Sequence, residues 1–438
     1  MKKKDLAPGA FTRRSLVKAG LAGGALAAAG PLLSPTSPRE AEAVVSPAPF
    51  DLEEMTISTM KAGIRSGELT ARSLVESYLG RIEELNTRGP ELRAVIEVNP
   101  EALEIAAALD VEHKKKGARG PLHGIPILLK DNIATADRMT TTAGSLALEG
   151  SIPSRDAFLA ARLRAAGAIL LGKANLSEWA NFRSSRSSSG WSSRGGQCRN
   201  PYALDRNASG SSSGSAVAAA ANLCAAAVGT ETDGSIISPA SSCGIVGIKP
   251  TVGLVSRSGV IPIAHSQDTA GPMARTVADA AVLLAAMIGV DERDEATKTG
   301  RGKALDLATV LDPEGLRGAR IGVYLPRSLD DNSLTNPVVA NAIAAMKDRG
   351  ATVIEGVEIP SAGKFGDSEY EVLLYEFKAD LNRYLAALGP GAPIHSLQDA
   401  IDFNERHRER VMPYFGQEIF LRAQKKGPLS EAAYKKAL

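Results

Sequence analysis

The chain has 438 residues, 44% hydrophobic and 23% charged, which are ordinary values for a globular protein and enough length for a large α/β enzyme. Aromatic residues make up only 4%, so the core must rest on Ala, Val, Ile and Leu. A formal net charge of +2, with no basic stripe, argues against nucleic-acid binding.

The N-terminus reads as a targeting segment. Lys2, Lys3, Lys4, Arg13 and Arg14 make a positive region, Ala19–Leu33 is a short Ala/Gly-rich stretch, and Ala41-Glu-Ala43 offers a small-x-small cleavage site. The run Thr12-Arg-Arg-Ser-Leu-Val-Lys18 resembles the twin-arginine export signal. The expectation is that residues 1–43 engage the export machinery and are removed, leaving a periplasmic or secreted protein with no stable membrane insertion. The fifteen residues of Ala19–Leu33 fall short of the ~20 apolar residues that a spanning helix needs. Without residues 1–43 the chain carries 44 basic and 46 acidic residues, a formal charge of −2. Residues 44–50, with Ser46-Pro-Ala-Pro49, read as a linker, and 51–438 as the folded domain.

Amphipathic periodicity predicts helices over Thr56–Ser66 and Ala71–Asn86, the second capped by Thr70 with Ser73 on its first turn. Ala94–Val98 reads as a strand and Pro100–Lys116 as a helix. From about residue 120, apolar strands alternate with helices: strand Ile125–Leu129, helix Ala157–Ala166, strand Ala168–Leu171 ending at Gly172, helix Ser213–Asn222, strand Ala225–Val228, helices Ile236–Cys243 and Thr276–Ile288. Continuous apolar strands of this kind belong to a sheet buried on both faces. Arg320–Tyr324, Pro337–Arg349 and Thr352–Val357 read as strand, helix and strand, followed by helices Tyr370–Leu388 and Ser396–Arg410. The serine-rich run Ser184–Ser193, flanked by Trp179 and Trp191, reads as an ordered loop. Cys198, Cys224 and Cys243 are odd in number with no CxxC pair, so neither a zinc site nor a disulfide framework is indicated.

The chemistry concentrates in Gly210-Ser-Ser-Ser-Gly214 and Gly229-Thr-Glu-Thr-Asp-Gly-Ser-Ile236, which hold Ser211 and Ser235 24 positions apart. Upstream, Lys130 closes the apolar strand of Gly124-Ile-Pro-Ile-Leu-Leu-Lys-Asp-Asn132. A serine hydroxyl needs a base to attack, and a lysine serves only when desolvation lowers its pKa from about 10.4. The glycine turn before Ser235 leads into a helix, so its N–H groups are suited to a developing oxyanion.

These three spaced motifs resemble the amidase signature hydrolases. The resemblance covers roughly residues 51–438 and is densest over 120–290. It implies an α/β single-domain fold, a central mixed twisted β-sheet covered by helices on both faces. It implies cleavage of a carboxamide to carboxylate and ammonia through a Ser acyl-enzyme, with no metal or organic cofactor. In that triad Ser235 is the nucleophile, Ser211 the relay on a cis Gly210–Ser211 bond, and Lys130 the base. The oxyanion hole is then the backbone of Thr232, Asp233, Gly234 and Ser235, and Asn132, Asn175, Ser209, Ser212 and Asp268 surround or line the site. Gly172–Trp179, Gly247–Thr251 and Gln267–Pro272 look like the family as well.

Departures narrow the branch. Where many members have Gly-Thr-Asp-Thr-Gly-Gly-Ser-Ile-Arg, this chain has Glu231, Asp233 and Ile237. The variant looks like the bacterial peptide amidases, which act on C-terminal amides of peptides, and Ile237 removes an arginine that would clamp a substrate carboxylate. A broad aliphatic or aryl amidase and a glutaminase-type amidotransferase subunit are the alternatives. The chain also stops earlier than most relatives, as a fragment or with a shortened pocket wall. Ser212 and Ser213 compete with Ser211 on spacing alone. His123 and His265, the latter with Asp268, suggest a Ser-His-Asp site, but no Gly-x-Ser-x-Gly elbow surrounds Ser235. Gly167–Ala174 matches P-loop spacing except for its final Ala, and its strand-like middle offers no phosphate nest.

Overall fold

Three strands without a single exposed residue frame the structure: β2 (Pro126–Lys130), β3 (Ile169–Ala174) and β4 (Ala226–Glu231). Their side chains are apolar on both faces up to the strand ends, so each must lie inside a sheet covered on both sides. They pair in parallel, with β2 in the middle. The computed structural model describes residues 50–299, 310–324 and 336–438; the expected export signal over 1–43 and nearly all of the expected linker lie outside them. With β1 (Val95–Val98), β5 (Val246–Gly247) and β6 (Thr269–Ala274) the strands form one six-stranded sheet in the order β1-β3-β2-β4-β6-β5. The β1–β3, β4–β6 and β6–β5 pairings are antiparallel, so the sheet is mixed.

The helices that cover it follow from local signals. Thr56 caps Ile57–Ser66 by accepting from Thr59 N, and Thr70 and Ser73 cap Ala71–Ile82 reciprocally. Helix Ser213–Ala220 consists of small residues, all buried, and packs on the sheet. A second core joins Trp179, Phe182, Ile261 and Ile263 to the long helix Gly366–Ala387 and to Phe420. All three cysteines are free and buried. Among the described residues no helix is long and apolar enough to cross a membrane.

Several boundaries differ from the sequence reading. The helix expected to reach Asn86 widens into a π-turn over Glu83–Thr87, where the Asn86 amide bonds both backbone groups of Val95. β3 runs on through Gly172 to Ala174, because Gly172 pairs with Val98 on one side and Leu128 on the other. The expected helix Ser396–Arg410 is two, Leu397–Arg406 and Arg408–Val411, broken at His407, whose ring lies 4.4 Å from that of Phe403. Strand β6 contains Gly271 and Pro272, residues that read as breakers, yet it pairs with β4 over five positions.

Gly214 lets helix Ser213–Ala220 seat against the residues that flank β1 and β3: a Cβ there would come within 2.3 Å of Ala94 O and 2.4 Å of Asn175 N. Gly214→Ala is expected to destabilise the fold by about 1–3 kcal/mol through overpacking, measured as a lowered denaturant midpoint with unchanged slope. An unchanged midpoint would show that the contact is relieved at no cost.

Candidate active site

Lys130 is the last residue of β2 and is wholly buried. Its Nζ lies 2.7 Å from Ser211 Oγ, 2.9 Å from Thr230 Oγ1 and 3.3 Å from Thr230 O. Burial pulls its pKa down to about 7, although the carboxylates of Asp268 and Glu231 pull the other way. The neutral amine has two N–H groups and one lone pair. Thr230 offers the two N–H groups a carbonyl and a hydroxyl, which leaves the lone pair for the Ser211 hydroxyl. Asn132 Nδ2 donates to the same Thr230 Oγ1 at 3.0 Å and so fixes that hydroxyl.

The three adjacent serines divide cleanly. Ser211 meets Lys130, and the Gly210–Ser211 peptide is cis. Ser212 Oγ donates to Thr230 O and accepts from Thr230 N, which ties the turn to β4. Ser213 Oγ donates to Ser209 O. The Ser212 N–H donates to Ser235 O at 3.0 Å, so the residue after Ser211 is joined to Ser235. Ser235 is buried, between Gly234 with φ of 75° and helix Ile237–Ser242.

Glu231 organises the turn before Ser235. Its Oε2 accepts from Ile236 N at 2.6 Å and Ile237 N at 3.0 Å, so those two donors are occupied. Among the described residues no protein acceptor takes the N–H groups of Asp233, Gly234 or Ser235. Thr232 donates its hydroxyl to Asp268 Oδ1 at 2.5 Å, and its carbonyl accepts from Lys249 Nζ at 3.0 Å. Asp268 Oδ2 accepts from the N–H groups of Ile263 and Ala264. Burial raises the Asp268 pKa to about 6, against the lowering effect of these donors. Asn132, Thr230, Thr232, Asp268, Ile261 and Ile263 line a narrow cleft together with Ala180. Ala180 stands in a left-handed turn, with φ of 51°, 54° and 70° at Trp179, Ala180 and Asn181.

Other expectations need correction. Asn175 does not line this cleft: its amide donates to Arg93 O and Gly196 O and accepts from Leu176 N and Ser192 Oγ, so it holds loops together. Ser209 does not line the cleft either; its Oγ is 2.7 Å from Ser238 Oγ. Arg194 pairs with Glu97. His123 bonds Arg119 N and Leu109 O, a structural role. His265 faces Asp380 and Glu376 rather than Asp268, which rules out that His-Asp pair. His265, Glu376 and Asp380 are close enough to share a cation, but every carboxylate oxygen of the cluster already accepts from an internal donor. Sequence reasoning missed Thr230 and the capping role of Glu231. The signal available was position: Thr230 is near the C-terminal end of a strand parallel to β2, the same end of the sheet as Lys130.

A fully buried lysine, a serine bonded to it and a second serine beside unused N–H groups are the equipment of a hydrolase that works by nucleophilic attack on an acyl group. The comparisons agree. Residues 73–438 match the family described as Amidase, and the chain belongs to that family, hydrolases that act on amide C–N bonds. It is 46% identical over 391 residues to a probable amidase of Arabidopsis thaliana, covering 87% of this chain and 74% of the relative. A putative amidase of Schizosaccharomyces pombe is 40% identical over 413 residues, covering 88% and 70%. The solved structure of the native peptide amidase from Stenotrophomonas maltophilia superposes with a TM-score of 0.86 at 52% identity, covering 89% of this chain and 79% of that one.

The Lys130 side chain is expected to titrate near pH 7, read from the Nζ chemical shift of lysine-labelled protein and assigned by the loss of that signal in Lys130→Met. A shift that moves only near pH 10 would mean that the amine is charged at neutral pH.

Proposed function

We propose that the chain removes the C-terminal carboxamide of peptides, releasing carboxylate and ammonia, through an acyl-enzyme on Ser235. The observation that carries this reading is the buried Lys130 amine held against Ser211 with its charge disfavoured. Lys130 takes the Ser211 proton while Ser211 takes that of Ser235, and Ser235 Oγ attacks the carbonyl carbon. The oxyanion is received by N–H groups of Asp233, Gly234 and Ser235, in a turn where Glu231 has already claimed the next two. The relay run backwards protonates the leaving nitrogen, so ammonia departs and the ester remains. Water activated by the same relay then releases the carboxylate and restores Ser235.

Two observations support a peptide amide as substrate. One is the 52% identity to the Stenotrophomonas maltophilia peptide amidase. The other is Ile237, half exposed two residues after the nucleophile, which offers a free-acid substrate no cation at that position. The N-terminal sequence supports action outside the cytoplasm.

Ammonia release from an amidated dipeptide is expected to exceed that from glutamine or a simple aliphatic amide. Equal rates on all three would favour a broad amidase. Ser235→Ala and Lys130→Ala should each cost at least about a thousandfold in kcat. Thr230→Val should cost about 10- to 100-fold while Thr230→Ser keeps most activity, since the hydroxyl orients the amine. Activity should rise as pH increases through about 7, where Lys130 loses its proton. A reporter fused to residues 1–43 should reach the periplasm and be retained inside when Arg13 and Arg14 become Lys; export of both forms would remove the twin-arginine reading.

A further inference from the structure

His265 lies outside the proposed triad but is linked to it through the backbone of its own loop, Asp268 and Thr232. Its Nδ1 is 2.7 Å from Asp380 Oδ2 and its Nε2 is 3.4 Å from Glu376 Oε1, two buried carboxylates one turn apart on helix Gly366–Ala387. Both ring nitrogens therefore face acceptors. Only the imidazolium has an N–H on each; a neutral ring must turn one lone pair toward a carboxylate. The same two carboxylates accept the backbone N–H groups of His265 and Ser266 and the Ser266 hydroxyl, so they anchor the loop as well as the ring. That loop carries Ile263 and Ala264, whose N–H groups hold Asp268, and Asp268 holds the Thr232 hydroxyl at the start of the nucleophile turn.

We infer that His265, as an imidazolium, is a positioning residue that clamps the Ile263–Asp268 loop to helix Gly366–Ala387 and through Asp268 aligns the Thr232–Ser235 turn, so that loss of its proton loosens the turn and slows amide hydrolysis. The inference rests on the reading of that turn as the oxyanion site. The charges around the ring agree with it. From the helix come Asp380 and Glu376, with Arg383 on the far oxygen of Asp380. From the C-terminal helix comes Tyr434, which donates to Glu376 Oε1. On the other side the Arg257 guanidinium bonds the His265 carbonyl and is itself neutralised by Asp294. The bond to Asp380 raises the His265 pKa above its ordinary 6.5, with burial and Arg257 opposing. A raised folded pKa means that the clamp is fully present below pH 6.5 and is lost as pH rises through the higher folded value. Lys130 works in the opposite direction, since it must lose its proton to act. The two groups act on the rate in opposite senses: deprotonation of Lys130 raises it as pH climbs through about 7, and deprotonation of His265, at its raised pKa, lowers it.

The test follows backbone hydrogen exchange at Ile263 and Ala264, corrected for intrinsic rates, and kcat for an amidated dipeptide, both from pH 5.5 to about 10. In the unaltered protein, protection at both amides and kcat should fall together on the alkaline side, kcat by about 3- to 30-fold with KM changing less. His265→Gln should show the low protection and low kcat at pH 7 and no alkaline fall. Asp380→Asn should move the fall to lower pH, which keeps the inference testable if His265→Gln does not fold. A His265→Gln protein with full protection and full kcat at pH 7, or with the alkaline fall intact, overturns it. Should no amide be hydrolysed at all, the catalytic reading fails by itself, while the exchange profile still confirms or refutes the clamp.

Discussion

Everything at this site depends on the desolvation of one amine. Lys130 is placed at the end of the central strand β2, covered by β3 and β4 on either side and by the serine turn above, so no water reaches its Nζ. Two carboxylates within its electrostatic reach would normally keep a lysine charged, yet burial outweighs both. The consequence is an amine suited to accept a proton near neutral pH, and the rest of the molecule keeps it dry and pointed at one hydroxyl.

The arrangement is layered around β4. Its Thr230 orients the Lys130 amine and receives the Ser212 hydroxyl, so it links Lys130 to the serine turn. One residue later, Glu231 turns back and caps the helix that follows Ser235. Thr232 then hands the nucleophile turn to Asp268 and the Ile263–Asp268 loop, which the long helix Gly366–Ala387 holds in place. Three successive residues, the last two of β4 and the one after it, thus connect Lys130, the Ser235 turn and the outer helical layer. A strand suits this task because alternate side chains reach opposite faces while the ladder keeps their spacing rigid.

Much of this was legible beforehand. The buried strands, most helices and their caps followed from apolar runs and from Thr at helix starts. The parts that were not legible share a cause: they depend on contacts distant in sequence. Gly172 reads as a strand end but is tolerated between β1 and β2 because the carbonyl of Glu97 crowds that point. β6 was invisible because Gly271 and Pro272 carry no strand propensity; the pairing with β4 holds them. Asn175 looked like a site residue by motif, but its amide is consumed by Arg93 and by Ser192 and Gly196 of one hairpin, two other segments of the chain.

The sequence by itself determined the chemical inventory and the family: a lysine closing an apolar strand, two glycine-bracketed serine turns and the Glu231/Asp233/Ile237 variant are local patterns that survive without coordinates. Spacing alone could not decide which of Ser211, Ser212 and Ser213 meets the lysine. Tertiary structure decided it, because the direction of each hydroxyl is set by the path of the turn against β4, and Thr230 takes Ser212 while Lys130 takes Ser211. It also decided that His265 belongs with Asp380 and Glu376, a partnership across 115 and 111 residues of chain that only the docking of the long helix creates.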